Sequence, residues 1–263
     1  FYRVPTRREL LPLRDRLERG RDLALEVVDF VAAFDFPDQE MDYELVSVAH
    51  PDEYPVLGER IVSDRGLDID AAAFLDHVEE HHVEHSTALH ARLLERGEYL
   101  VGPLARYSLN ASKLAPGAAA AARDAGLGPT CHNPFRSIVV RAVEVVHAFE
   151  VGLDIIEGYE PPDRPDVQVE VRAGVGHGVT EAPRGLLYHR YEIDDAGLVA
   201  DAVIIPPTSQ NQATIEHDLW HYVEHHLHLE DDDLRRRAEV TIRNHDPCIS
   251  CATHFLDLTV ERS

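Results

Sequence analysis

Lysine is nearly absent from this 263-residue sequence: of 25 basic residues only Lys113 is lysine, and the others are arginine. Cysteine is scarce too, at three residues, too few for a disulfide scaffold. No stretch approaches the roughly eighteen uninterrupted apolar residues needed to cross a bilayer as a helix. Positive charge is also in deficit. With 48 acidic residues the formal net charge is −23, which excludes nucleic acid and anionic membrane as partners, since both bind clustered cations. The excess reads as a solvated carboxylate surface that favours solubility. A starting methionine is missing as well: Phe1-Tyr2-Arg3-Val4-Pro5 opens the chain without the form of a signal peptide, and the expectation is part of a longer or processed chain.

What is present suits a globular protein. Hydrophobic residues make up 44% and charged residues 28%, enough for one sizeable core or one core with a small appendage. Helical spacing runs from Arg7 to Phe34, with Leu10, Leu13, Leu17, Leu23, Val27, Val28 and Val31 on one side, and Phe36-Pro37-Asp38 stops it. Tyr43–Val48 reads as a strand. Ala71–Glu95 reads as a second helix ended by Arg96-Gly97, and Pro116–Ala125 as an alanine-rich one. Asn133 and Pro134 are a helix cap and first-turn residue for a segment reaching about Ile156, whose wide apolar face predicts a buried central helix. Leu186–Ile193 and Leu198–Ile205, joined by Asp194-Asp195-Ala196-Gly197, form a hairpin signature. Two helices follow, roughly Gln212–His228 and Asp232–Arg243. The Glu230–Asp233 charge run suits the positive end of a helix dipole.

Chemistry concentrates at Asp246-Pro247-Cys248-Ile249-Ser250-Cys251-Ala252-Thr253-His254. A C-x-x-C turn can aim two thiolates at one point, and thiolates suit soft or borderline metals; Pro247 fixes the backbone before the first sulfur. A zinc half-site would need a second C-x-x-C or matched histidines, and a thioredoxin-like pair would start a helix after an N-terminal strand. Cys131 stands alone and reads as a small buried residue. His81, His82, His85 and His90, and likewise His221, His225, His226 and His228, read as solvated surface histidines.

The Asp-Pro-Cys-x-x-Cys-x-x-His segment resembles the second ligand motif of nickel–iron hydrogenase large (alpha) subunits. Three other segments resemble that family in the same order: Asn133–Glu144 its central helix, Thr180-Glu181-Ala182-Pro183-Arg184-Gly185 its Ala-Pro-Arg-Gly segment, and Pro207-Thr208-Ser209-Gln210-Asn211 its Pro-Thr/Ser-x-x-Asn segment. The spellings resemble the cytoplasmic bidirectional, NAD(P)-linked or sulfhydrogenase type. The resemblance implies a mainly α (α+β) fold, a buried long-helix bundle with a peripheral hairpin or small sheet. It implies one domain over 1–263: a helical and irregular part to 130, the central helix, hairpin and metal-ligand motif over 131–254, and a tail over 255–263.

It further implies reversible, heterolytic oxidation of H2 at a nickel–iron centre whose iron carries CN and CO. Cys248 would be a terminal nickel ligand and Cys251 would bridge nickel and iron. Arg184 would sit above the metals, oriented by Asp246. The Thr208 hydroxyl and the backbone around Arg184, Pro183 included, would cradle the iron's anionic ligands. His254, with the backbone carbonyl of Ile204, would bind magnesium. The proton would go to Cys248 or Arg184. Electrons would leave through iron–sulfur clusters of a small subunit, onward to diaphorase-type NAD(P)/FAD subunits, and assembly would need nickel chaperones and a maturation endopeptidase. Two features depart from the family: its first C-x-x-C is not present, so this chain holds at most half of the ligand set, and nine residues, Phe255–Ser263, follow His254 where many relatives are trimmed. The competing readings are a non-catalytic fragment and a scaffold relative of the kind found in respiratory complex I.

Overall fold

The computed structural model describes residues 2–248, so Cys251, His254 and the 255–263 tail lie outside the described residues. Its first element, helix α1 (Arg7–Ala32), opens on a capping box: Thr6 Oγ1 accepts from the Glu9 backbone N–H, and the Glu9 carboxylate accepts from the Thr6 N–H. Short strands follow, β1 (Val46–Ala49), β2 (Leu57–Gly58), β3 (Arg60–Ser63) and β4 (Asp68–Asp70), then a four-residue helix α2 (Phe74–His77). Strands β5 (Val78–His82) and β6 (Leu89–Leu93) form a hairpin. Three helices come next: α3 (Pro103–Asn110), α4 (Pro116–Asp124) and α5 (Ser137–Glu157). Strands β7 (Gly174–Ala182), β8 (Gly185–Ile193) and β9 (Val199–Ile205) lead into α6 (Pro207–His226) and α7 (Asp231–Arg243).

All named strand pairs are antiparallel, in sheets ordered β1-β3-β4, β2-β7-β8-β9 and β5-β6. The helical core joins α1, α3, α4 and α5 through Val28, Leu104, Ala118, Val139, Val143 and Val146. A second core lies among the sheets, where Val46, Ile61, Phe74, Tyr99, Leu186, Tyr188 and Ile205 meet. Helices α1 and α5 run antiparallel: Gly20 faces Phe149, Leu17 faces Gly152, and Arg7 Nε donates to the Tyr159 carbonyl at 2.8 Å. Asn133 caps the turn entering α5, its side chain accepting from the Phe135 N–H at 2.9 Å. No helix among the described residues is long and apolar enough to cross a membrane.

The α+β class holds, with more strand than a peripheral hairpin. Three helices differ from expectation. Ala71–Glu95 is helical only to His77; it then forms the β5-β6 hairpin, because Val78, Ala91 and Leu93 enter the sheet core. Helix α5 buries one side (Val139, Val140, Val143, Val146), while Val145 and Ile155 on the other wall an open cleft. In α1 the buried line is Ala24, Val28 and Val31, and Leu23 and Val27 face outward, since the 3.6-residue period puts adjacent positions about 100° apart.

Candidate metal centre

Three segments distant in sequence converge here. The first is the tip of the β7-β8 hairpin. Ala182 pairs with Gly185, so Pro183-Arg184 is a two-residue turn that presents the Arg184 side chain at the end of two nine-residue strands. Gly185 has φ +133°, and a Cβ there would lie 2.7 Å from the Gly102 backbone nitrogen. Gly102 has φ +109°, and a Cβ there would lie 2.6 Å from the Arg184 carbonyl oxygen. Two glycines thus permit a backbone-to-backbone approach that any side chain would prevent.

Buried Arg106 of α3 secures the same turn, donating to the carbonyls of Ala182 at 2.9 Å and Pro183 at 3.3 Å. Its remaining donors meet Glu144 (2.6 and 2.8 Å) and Glu181 (2.7 Å), and Tyr54 Oη donates to Glu144 at 2.6 Å. One guanidinium therefore faces two carboxylates. Arginine stays protonated, so the excess negative charge is relieved at the more deeply buried carboxyl. Burial pushes Glu181 up from 4.5 to about 7 against the lowering pull of Arg106. A cleft of about 1820 Å³ opens beside this network, walled in part by Arg106, Arg141, Glu144 and Pro183.

The second segment is the first turn of α6, where Pro207 takes the first helical position. Thr208, Ser209, Gln210 and Asn211 are all buried. The Asn211 amide imitates a strand neighbour, accepting from the Val101 N–H at 2.9 Å and donating to the Val101 carbonyl at 3.0 Å. Gln210 donates to the Leu186 carbonyl at 2.6 Å, and Thr214 to that of Tyr99 at 2.8 Å. The helix N-terminus is thereby fixed to the strand and loop that hold the Arg184 turn.

The third is the segment leaving α7. Ser137 Oγ donates to the Asn244 carbonyl at 2.5 Å. His245 Nε2 lies 2.8 Å from a carboxylate oxygen of buried Asp218, which also accepts from Tyr43 Oη. Asp246 then adopts φ +47°, the left-handed region that aspartate tolerates better than most residues. Its carbonyl accepts from Arg184 Nε, and its carboxylate lies 3.3 Å from Arg184 Nη2 and 4.0 Å from Arg141 Nη1. Two residues later the Cys248 N–H donates to Thr208 Oγ1 at 3.4 Å.

Arg184, Asp246, Thr208 and Cys248 are therefore brought together. Pro183 is exposed at the turn. Ile204 lies on β9 opposite His189, half-exposed and three residues before Pro207. Cys251 and His254 lie outside the described residues. Cys131 is buried in the helical core, its backbone N–H bonded to Ser108 Oγ, and burial raises its thiol. The positive end of α6 and the guanidinia of Arg184 and Arg141 favour anionic ligands beside Cys248. Sequence reasoning passed over Arg106, Glu144, Glu181, Asp218 and His245; the available signals were an ionisable residue at Glu181, next to Ala182-Pro183-Arg184, and at His245, directly before Asp246.

Residues 153–254 match the nickel-dependent hydrogenase family. The chain is 32% identical over 212 residues to sulfhydrogenase 1 subunit alpha of Pyrococcus furiosus, covering 79% of this chain and 48% of that protein. It is 34% identical over 173 residues to the NAD-reducing hydrogenase HoxS subunit beta of Cupriavidus necator, covering 62% of this chain and 34% of the other. Against the structure of an NAD+-reducing [NiFe]-hydrogenase in the H2-reduced state the TM-score is 0.75 at 26% identity, over 95% of this chain and 61% of that one. A [NiFeSe] hydrogenase from Desulfovibrio vulgaris Hildenborough shares the fold, with a TM-score of 0.61 at 19% identity over 95% and 62% of the two chains. The chain thus spans about half or less of the curated relatives it matches, and about three-fifths of the solved ones. The match in sequence and the shared fold place the chain in the nickel-dependent hydrogenase family.

Proposed function

We propose that this chain supplies part of a nickel–iron hydrogenase large subunit, with Cys248 and Cys251 as two of the thiolate ligands of the metals. The observation that carries the reading is the junction of three segments: Arg184 bonded to Asp246, and the Cys248 N–H on Thr208. The donor set fits. A C-x-x-C pair supplies thiolates suited to nickel and iron, and a helix N-terminus with Thr208 and the Pro183-Arg184 turn supplies donors for anionic iron ligands such as CN. Bound there, a nickel–iron pair would supply the redox chemistry of reversible H2 oxidation.

Each residue then has a task. Asp246 holds the Arg184 guanidinium in one orientation through Nε and Nη2, so that its remaining N–H groups would serve the metals' ligands as fixed donors. Because arginine keeps its proton, the base that takes the proton is Cys248 Sγ. His254 and the Ile204 carbonyl would hold magnesium. Similarity to an NAD-reducing relative supports transfer of electrons through a small iron–sulfur subunit to diaphorase-type NAD(P) subunits, in the cytoplasm. Nickel chaperones and an endopeptidase would mature the chain.

The test is metal analysis of the complete protein, matured in its own host with its small subunit. Nickel is expected at about one per large subunit, and Cys248→Ser is expected to lose nickel and H2 oxidation while far-UV circular dichroism stays unchanged. A nickel-free wild type, or nickel undiminished in Cys248→Ser, defeats the assignment.

A further inference from the structure

A second group of metal-ligating side chains lies farther along α6. His85, His90 and Glu216 bring one ligand atom each within 4.8 Å of one another. They come from three places: the loop between β5 and β6, strand β6, and the middle of α6. Glu216 stands eight residues beyond Thr208, about 12 Å along the helix at 1.5 Å per residue, so it belongs to a different layer from the Cys248 junction.

An exposed histidine beside a glutamate is ordinary, and His85 Nε2 at 2.8 Å from Glu216 Oε1 could be no more than that. His90 is what sets the group apart. It is 2% exposed, its Nε2 lies 3.5 Å from the same Glu216 oxygen, and that nitrogen has no hydrogen-bond partner. Across the hairpin from it, in register, His81 Nδ1 is also buried and without a partner. Of the five such buried side-chain atoms among the described residues, two therefore belong to this hairpin. A buried polar atom left unsatisfied forfeits its hydration without compensation, so two neighbouring imidazole nitrogens left bare need a reason.

We propose that His85, His90 and Glu216 form a Zn2+ site that clips the β5-β6 hairpin to α6. Two imidazoles and a carboxylate are zinc's common nitrogen and oxygen ligands, and three protein ligands leave a fourth position for water. Bonds of about 2.0–2.1 Å at tetrahedral angles put ligand atoms roughly 3.3–3.4 Å apart; the two distances to Glu216 are 2.8 and 3.5 Å, and the two imidazole nitrogens lie within 4.8 Å of each other. Burial also lowers the His90 pKa, keeping its ring neutral and able to ligate at neutral pH. The partly exposed His85 and Glu216 provide the entry path. The surface reading of these histidines fails at His90, which the hairpin buries.

The test uses the complete chain with Cys248→Ser and Cys251→Ser, so that the C-x-x-C pair cannot contribute and the one remaining thiol, Cys131, stays buried in the helical core, stripped with chelator and titrated with Zn2+ against a chromophoric competitor. One Zn2+ per chain is expected. His85→Ala, at an exposed position that leaves the fold intact, and Glu216→Gln should each weaken binding about tenfold or more. Co2+ in place of Zn2+ should give the intense visible absorption of a tetrahedral ion, lost in both variants. No stoichiometric Zn2+ in the chain lacking the C-x-x-C pair, or unchanged affinity in folded His85→Ala, overturns the proposal without bearing on the Cys248 site.

Discussion

Arginine at position 184 is a choice of shape as much as of charge. Its Nε reaches the Asp246 carbonyl while Nη2 reaches the Asp246 carboxylate, so one planar group reads the backbone and the side chain of the same residue. A lysine ammonium is a single point and cannot make both contacts from the tip of a two-residue turn. Arg184→Lys is therefore expected to retain nickel but to lose about 10²-fold in H2-oxidation rate, the scale seen when one fixed donor is removed from an active site. Measuring kcat beside metal content separates this from a loading defect; a rate within a factor of two of wild type would remove Arg184 from the chemistry. The same scale shows why Cys131 is not a substitute ligand. Its thiol is buried in the helical core, and its pKa is raised by burial.

At the scale of elements, the turn and its supports act as a unit. Gly185 and Gly102 touch through backbone atoms, both with φ in the left-handed region, and the Arg184 carbonyl lies against this contact. Gly185→Ala must strain φ and also displace Val101, whose Cγ2 would lie 2.6 Å from the new Cβ. The expected cost is about 2–4 kcal/mol in urea unfolding, combining backbone strain and overpacking, with H2 oxidation falling further as Arg184 shifts. Stability within about 0.5 kcal/mol of wild type would show that the two segments can part freely.

Elements also mark where sequence reading succeeds and where it stops. Helices α1, α4, α5 and α7 and the β8-β9 hairpin were legible because their apolar spacing and end signals agree with their surroundings. Strand β7 was not. Gly174, Gly176 and Gly178 alternate along it, and glycine has poor strand propensity, yet nine paired residues of β8 hold it in the sheet. The β5-β6 hairpin was hidden likewise, since residues 83–88 contain no glycine, proline or asparagine to announce a turn. Tertiary pairing decided both. At the site, the linear motifs exposed Arg184, Thr208, Asp246 and Cys248. Their supports, Arg106 with Glu144 and Asp218 with His245, are joined only by folding, across 38 and 27 residues, and no local spacing could reveal them.

For the whole molecule, the buried cluster of Arg106, Glu144, Glu181 and Tyr54 ties the cleft wall, the α3-α5 contact and the Arg184 turn into one electrostatic unit, and its response to pH has a definite sign. Glu181 is raised from 4.5 to about 7 in the folded chain by burial. The folded state therefore binds this proton more tightly than the unfolded state does. The associated stability is fully present below about pH 4.5 and is lost as pH rises through about 7. Arg106 remains charged throughout. In Glu181→Gln the position no longer titrates; the single amide oxygen can keep either the Arg106 or the Val48 N–H bond, a loss that does not change with pH. The many other carboxylates and histidines are common to both proteins, so the difference in unfolding free energy between wild type and variant isolates this one group. Each tenfold change in proton affinity is worth about 1.4 kcal/mol, so that difference should move against the wild type by up to about 3 kcal/mol between about pH 4.5 and 8. Urea unfolding of both proteins across that range reads it directly. A difference that stays flat, or that moves in favour of the wild type, would mean Glu181 is ionised in the folded chain and that the second negative charge beside Arg106 is balanced by some other group.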